Sequence, residues 1–323
     1  MIKIGILGAA DIAYRMFLPA LMENKNFQCV GLAEEYDQSK VEKFQNEFHI
    51  DIYDCFDDLI DNPEIEVLYI PLPPALHYQY AKKALLKNKH VFLEKPLTTN
   101  YEDTLELIKI ANERNLVLQE NYMFQYHSQL SEIQNVLLNK ELGDLRLIRS
   151  NFCFPKRQSN DFRYSKKLGG GALLDAGGYV VKLATILLGT NLHIECAHLY
   201  NSIEYDIDLF GDFSASNDNV TFQGAFGMDN DYSCSLEIIG SKGKLSTNRI
   251  FTSPPGNKPM LTITKNNQIE EFVLKEDNHF SKSINVFWNA LRDENERKKL
   301  YDDLKIQSYL VNQIRDLGGN KND

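Results

Sequence analysis

Over its first 120 or so residues the chain alternates short apolar runs with stretches of helical periodicity, one after another. IKIGILG reads as a strand, followed by a helix from about Ile12 to Glu23. FQCVGLAE is a second strand, and SKVEKFQNEF a helix with Ser39 as its N-cap. EVLYIPL, HYQYAKKALLKN and HVFLEKP give a strand–helix–strand unit; YEDTLELIKIANERN is a helix and LVLQENYM a further strand. Neighbouring strands joined by single helices must run parallel, because only a crossover can return the chain to the same edge. The pattern predicts a doubly wound parallel sheet over residues 1–121, with any ligand at the carboxyl ends of the strands.

From residue 122 the pattern changes. The helix SQLSEIQNVLLN leads to LRLIRSNFCF, which has strand character, then to a glycine-rich turn and helix, LGGGALLDAGGYVVKLATILLG. Strand-like runs then follow without intervening helices: HIECAHLYNSIEY, IDLFGDFSASN, NVTFQGAFGM, YSCSLEIIG, GKLSTNRIFT, MLTITK and IEEFVLK. Such a series predicts an α+β domain over 122–323 with a large, mostly antiparallel open sheet. The chain closes on two helices that could pack back on the first domain. The cleft between the two domains is the expected site.

The formal net charge of −10 argues against a nucleic-acid partner, which favours a basic face. No run is read as a membrane span, and the five scattered cysteines form no CxxC or His/Cys ligand spacing. The expectation is a cytoplasmic protein with reduced thiols and no metal.

GILGAADIA lies where the first strand turns into the first helix, with Gly8, Ala10 and Ala13 in place of the strict G-x-G-x-x-G. Small residues there let backbone N–H groups and a helix N-terminus approach a pyrophosphate. Gly8, Ala9, Ala10, Asp11 and Ile12 are therefore candidate cofactor contacts. The second strand ends at Ala33-Glu34-Glu35. A carboxylate there can accept from ribose hydroxyls and would repel a 2′-phosphate. Glu34 is the candidate ribose ligand, and NAD(H) is favoured over NADP(H); simple solvation is the competing role for either glutamate.

LYIPLPPALHYQYAKKALLKNKHVFLEKPL, then QENYMFQYH and LGGGALLDAGGYVVKLATILLG, and more weakly IIGSKGKLSTNRIFTSPP, resemble the glucose–fructose oxidoreductase, inositol dehydrogenase and rhizopine-catabolism (Gfo/Idh/MocA) oxidoreductases. The resemblance implies an N-terminal Rossmann domain and a C-terminal open sheet that forms a homodimer or homotetramer interface. It also implies hydride transfer between a nicotinamide and a carbohydrate or related alcohol. Lys95, in Glu94-Lys95-Pro96, takes the position of the family's catalytic lysine, and the resemblance implies a cis Lys95–Pro96 bond. An ammonium there polarises a carbonyl for hydride attack and stabilises the alkoxide in reverse.

Asp175 and Tyr179 stand four apart in a helix and share a face. A tyrosine at the second position resembles dihydrodiol dehydrogenases, glucose–fructose oxidoreductase and sugar-nucleotide 3-ketoreductases. Tyr179 is then the proton donor, and Asp175 orients substrate hydroxyls or the lysine. The family's use of the segment around Pro71 and Leu72 to line the nicotinamide ribose and pyrophosphate makes these two and His77 candidate cofactor contacts, with a structural hydrogen bond at the helix start as the competing role for His77. Glu94 and Asn121, at strand ends facing the cleft, are further candidates. Tyr122 and Phe124, beside Tyr126 and His127, are candidate substrate contacts, with core packing the commoner fate of such rings. Arg163 with Tyr164 is a further candidate, with surface exposure as the competing role. A diphosphate would meet cations such as Arg157, Arg163, Lys166 and Lys167. The expected substrate is a sugar or sugar nucleotide, with a free polyol or trans-dihydrodiol as the alternative and a non-catalytic NAD-binding regulator as a third reading.

Overall fold

The computed structural model describes residues 1–217 and 219–319. The chain forms two compact units: Met1–Asn121 with Phe280–Ser308, and Tyr122–His279 with the chain from Tyr309 onward.

The first unit holds a parallel sheet of β1 (Ile2–Leu7), β2 (Phe27–Ala33), β3 (Asp51–Tyr53), β4 (Val67–Ile70), β5 (His90–Leu93) and β6 (Leu118–Glu120). The strand order is β3-β2-β1-β4-β5-β6, which reverses direction between β1 and β4, the place where such sheets bind dinucleotides. The connections carry α1 (Leu18–Met22), α2 (Val41–Phe48), α3 (Phe56–Asp61), α4 (Pro74–Leu86) and α5 (Tyr101–Glu113). Every residue of β4 is buried, as a strand covered on both faces requires. Phe17 stacks on Tyr69 at 3.7 Å between ring centroids, fixing the first helix against the sheet. That helix contains a wide π-type turn at Ala13–Phe17. Asn100 caps α5 by accepting the Asp103 N–H at 2.9 Å. Ser39 does not cap α2: it lies in a tight turn at Gln38–Lys40, and its hydroxyl bonds Asp37. β3 and α3 are too short to announce themselves by periodicity, and the sequence reading omits them.

The second unit opens with α6 (Ser128–Leu138) and β7 (Leu145–Cys153), then α7 (Gly178–Leu188). Next come β8 (His193–Ser202), β9 (Ile207–Ser216), β10 (Thr221–Gly227), β11 (Ser233–Gly240), β12 (Lys244–Asn248), β13 (Met260–Lys265) and β14 (Gln268–Val273). The chain ends in α8 (His279–Arg292) and α9 (Glu294–Gly319). The sheet order is β14-β13-β12-β11-β7-β10-β9-β8, antiparallel except where β10 runs beside β7. α7 and the turn before it pack on β7 and β10. Lys166–Leu188 is, contrary to the reading above, long and apolar enough to cross a membrane, yet 83% of its apolar window is buried in the protein. It is the core helix of this unit.

Candidate active site

In the first unit the chemistry gathers where β5 leaves the sheet. Lys95 stands two residues beyond the end of β5, and its peptide bond to Pro96 is cis. Every neighbour of Lys95 is held. The Glu94 carboxylate accepts from the Tyr69 hydroxyl at 2.8 Å and from Asn121 Nδ2 at 2.7 Å. The Pro96 carbonyl oxygen lies 2.6 Å from His77 Nδ1, and the Leu97 N–H donates to Glu120 at 2.6 Å. Burial pushes the Glu94 carboxyl above its ordinary range, against the pull of Asn121, Tyr69 and Lys95.

His77 meets its competing expectation, a structural hydrogen bond, and Asn121 holds Glu94 in place. Asn121 is wholly buried and accepts from Ser283 Oγ at 2.8 Å while holding Glu94. His77 is wholly buried, its ring spanning the carbonyls of Pro96 and Leu72 at 2.6 Å each. One Glu94 oxygen accepts from both Tyr69 and Asn121 and so supports the loop. Pro71 and Leu72 are buried at the carboxyl end of β4.

The glycine turn meets these residues from the other side of the switch point. Gly8 has φ +106°, a conformation open to glycine, and a Cβ there would lie 2.8 Å from Leu72 Cδ2. A side chain would thus fill the cradle that a pyrophosphate needs. Asp11 and Ile12, with Ala10, open the helix that follows. Ala9 departs from expectation, because its N–H is spent on Glu34 at 2.6 Å. Glu34 is itself buried, and its other oxygen accepts the N–H groups of Tyr36 and Asp37 at 2.8 and 3.1 Å. Its side chain ties the end of β2 to the glycine turn. Glu35 serves elsewhere, accepting the first N–H of α3 from Phe56 at 2.6 Å.

In the second unit Asp175 lies in a π-type turn, Leu173–Gly177, that runs into α7. Such wide turns in helices recur at functional sites. Asp208, on β9, accepts the Leu173 N–H at 2.5 Å and so anchors the turn. Gly171 (φ +121°) passes directly against that carboxylate, which leaves no room for a side chain. Burial raises the Asp208 carboxyl above its usual range. Asp208 and its partner are far apart in sequence, and no local motif points to it.

Tyr179 stands in a ring cluster, 5.0 Å from Tyr122, 5.1 Å from Phe152, 5.7 Å from Phe124 and 5.8 Å from Phe251 between centroids. Its hydroxyl lies 3.8 Å from Met123 Sδ. Tyr122 and Phe124 are buried and pack against Tyr179, the commoner fate expected of such rings. Lys182, one turn along α7, is 1% exposed, with Nζ 5.7 Å from the Tyr122 ring centre. A lysine in an amphipathic helix ordinarily reads as solvated, so the sequence reading passed over it.

Arg163 is tied to two carboxylates. Its Nε donates to Asp175 at 2.6 Å and its Nη1 to Asp161 at 3.1 Å, and the two carboxylates raise the guanidinium further although burial opposes them. Tyr164 is likewise committed: buried, it accepts the Arg157 N–H at 2.9 Å and donates to the Met228 carbonyl at 3.3 Å. Lys166 pairs with Asp206. Lys156, Arg157, Gln158, Asn160 and Asp161 line a polar hollow of about 460 Å³.

Two family models cover most of the chain: the oxidoreductase family with an NAD-binding Rossmann fold over residues 2–122, and the GFO/IDH/MocA C-terminal domain over residues 130–246. A dTDP-3,4-didehydro-2,6-dideoxy-alpha-D-glucose 3-reductase from Actinomadura kijaniata is 34% identical, covering 97% of this chain and 95% of its own. The enzyme of the same name from Streptomyces violaceoruber is 34% identical over 90% of this chain and 85% of its own. Among solved structures, KijD10, a 3-ketoreductase from A. kijaniata in complex with NADP and TDP-benzene, superposes with a TM-score of 0.94 at 33% identity, covering 98% of this chain and 97% of its own. KijD10 has also been crystallised with its lysine or its tyrosine substituted, and those two positions are as far apart in sequence as Lys95 and Tyr179 are here.

Proposed function

This chain is an NAD(P)-binding oxidoreductase of the GFO/IDH/MocA family, and we propose that within it the chain reduces the keto group at C3 of a nucleoside-diphosphate-linked sugar. The observation that carries the reading is the lysine loop: Glu94, Pro96 and Leu97 are each pinned by a separate hydrogen bond, so Lys95 is held at the carboxyl edge of β5. A non-catalytic regulator has no use for a lysine so supported. The similarity to sugar-nucleotide 3-ketoreductases over nearly the whole length supports the substrate class.

The Gly8 cradle and the helix start at Ala10–Ile12 fit a dinucleotide pyrophosphate, with Leu72 packed over the turn. When bound, the reduced nicotinamide supplies a hydride. Lys95 hydrogen-bonds the substrate carbonyl oxygen and draws electron density from its carbon. As the hydride's electron pair forms the new C–H bond, the carbonyl π pair moves to oxygen. Tyr179 gives that oxygen its hydroxyl proton and regains one from solvent. Asp175, fixed by Arg163, orients a neighbouring hydroxyl of the sugar.

The cofactor we favour is NAD(H), because the Glu34 carboxylate sits buried at the end of β2, where a 2′-phosphate would add like charge. The KijD10 complex holds NADP, so the two proteins would differ here. The diphosphate would lie toward Lys156 and Arg157 in the polar hollow. We further propose a homodimer or homotetramer through the open face of the eight-stranded sheet, where Tyr200 stacks on Phe210 at 4.5 Å with both rings exposed. Sedimentation analysis tests the assembly: a monomer contradicts it.

Screening dTDP-linked keto-sugars, free polyols and dihydrodiols with both cofactors tests the reading. Consumption of NADH with a dTDP-linked 3-keto-sugar supports it. Turnover confined to free polyols or dihydrodiols, or no turnover, contradicts it. Replacing Glu34 with Ser and Glu35 with Arg should shift preference toward NADPH; tighter NADPH binding already in the wild type overturns the cofactor assignment.

A further inference from the structure

His77 stands in α4, completely buried, between two backbone carbonyls that belong to different parts of the cofactor end of the sheet. Nδ1 is 2.6 Å from the oxygen of Pro96, the residue after Lys95. Nε2 is 2.6 Å from the oxygen of Leu72, whose side chain packs over Gly8. Burial, reinforced by the nearby Lys95 charge and resisted by the two carbonyls, pushes the ring down to about 4, so at neutral pH it carries one N–H. A carbonyl oxygen only accepts, so each tautomer of the ring donates to one of the two carbonyls, and exchange of the proton between the nitrogens lets either one hold its loop.

We propose that His77 is a positioning residue with two separable duties: its Nδ1 side sets the loop that aims Lys95, and its Nε2 side sets the Leu72 segment over the dinucleotide turn. This rests on the role proposed above for Lys95. A group that merely filled the core would affect both loops together. A cross-brace with one nitrogen on each loop can be cut one arm at a time.

An asparagine amide reaches the Nδ1 position and a glutamine amide extends to that of Nε2, which gives the test. His77→Asn should keep kcat within about threefold of wild type while weakening NADH or NADPH binding roughly tenfold. His77→Gln should keep cofactor binding and lower kcat by about 10- to 100-fold, the effect of a misplaced reacting group. Asn and Gln variants that alter kcat and cofactor binding in the same proportion, or that alter neither, overturn the proposal. Lys95→Ala run alongside separates the two claims. A fully active Lys95→Ala enzyme overturns the role of Lys95 itself, while an inactive one beside indistinguishable His77 variants overturns only the division of labour. Should neither variant fold, the wild type still decides the matter: the ring nitrogen NMR resonances of His77 should move when cofactor is added, and resonances that stay in place overturn the brace.

Discussion

Arg163 Nε donates to Asp175 Oδ2 at 2.6 Å, and the same guanidinium reaches Asp161, so the loop before the glycine turn is bolted to the turn that opens α7. The arginine is 20% exposed and the aspartate 11%, so solvent screens the pair only in part. Arg163→Ala should therefore destabilise the protein by about 1–3 kcal/mol, less than a fully buried pair costs when one partner is lost. It should also raise the KM for the sugar substrate more than it weakens cofactor binding. Arg163→Lys, which keeps the charge but not the planar fork, should recover only part of either loss. Urea unfolding and steady-state kinetics on both variants check this.

Lys95→Ala should lower kcat by about 10²- to 10³-fold, the usual cost of removing one donor to a developing oxyanion. Cofactor affinity should stay within a few-fold of wild type, because the Gly8 cradle and Glu34 are untouched. Fluorescence titration with NADH alongside turnover assays measures both.

Tyr179→Phe should lower kcat by about 10²- to 10⁴-fold through loss of the proton path. The fold should survive, since Tyr122, Phe124, Phe152 and Phe251 pack against the ring and not the hydroxyl. The variant's thermal midpoint within a few degrees of wild type, with turnover lost, is the expected pair of results.

The candidate site rests partly on patterns local in the chain, and the contacts that the sequence does not show have a common cause. HVFL ending at Lys95, and Asp175 and Tyr179 four apart, are local patterns, and local patterns survive in a sequence. The doubly wound and antiparallel sheets were legible for the same reason. What a strand-end side chain turns toward is not local. Glu94 and Asn121 stand at strand ends in the sequence, and only the fold shows that Tyr69 and Ser283, from β4 and α8, bond them. Asp208 anchors the Asp175 turn from a different strand. Tyr122 and Phe124 have the composition of a sugar platform, but their burial makes them packing.

Acid should destabilise the protein between about pH 6.5 and pH 4. His90, buried mainly and also facing the Arg297 charge, is pushed down to about 4, and its Nδ1 accepts the Val117 N–H at 2.9 Å. His279, buried and facing His127, is also pushed down to about 4. A histidine with a lowered folded pKa binds more protons when unfolded, so its contribution is present above pH 6.5 and is lost as the pH falls toward 4. For His90 the loss is at most about 3 kcal/mol. Urea midpoints measured at several pH values should fall through this window. His90→Gln, which keeps an acceptor but does not titrate there, should flatten part of the slope.

The most direct test follows the hydride. The protein is given a dTDP-linked 3-keto-sugar and NADH or NADPH deuterated at C4 of the nicotinamide, and the sugar product is examined by NMR and mass spectrometry. One deuterium bound to C3 of the product, absent when Lys95→Ala replaces the wild type, is the result expected. Label at another carbon, or no labelled sugar from any dTDP-linked ketone while free polyols are turned over, would contradict it.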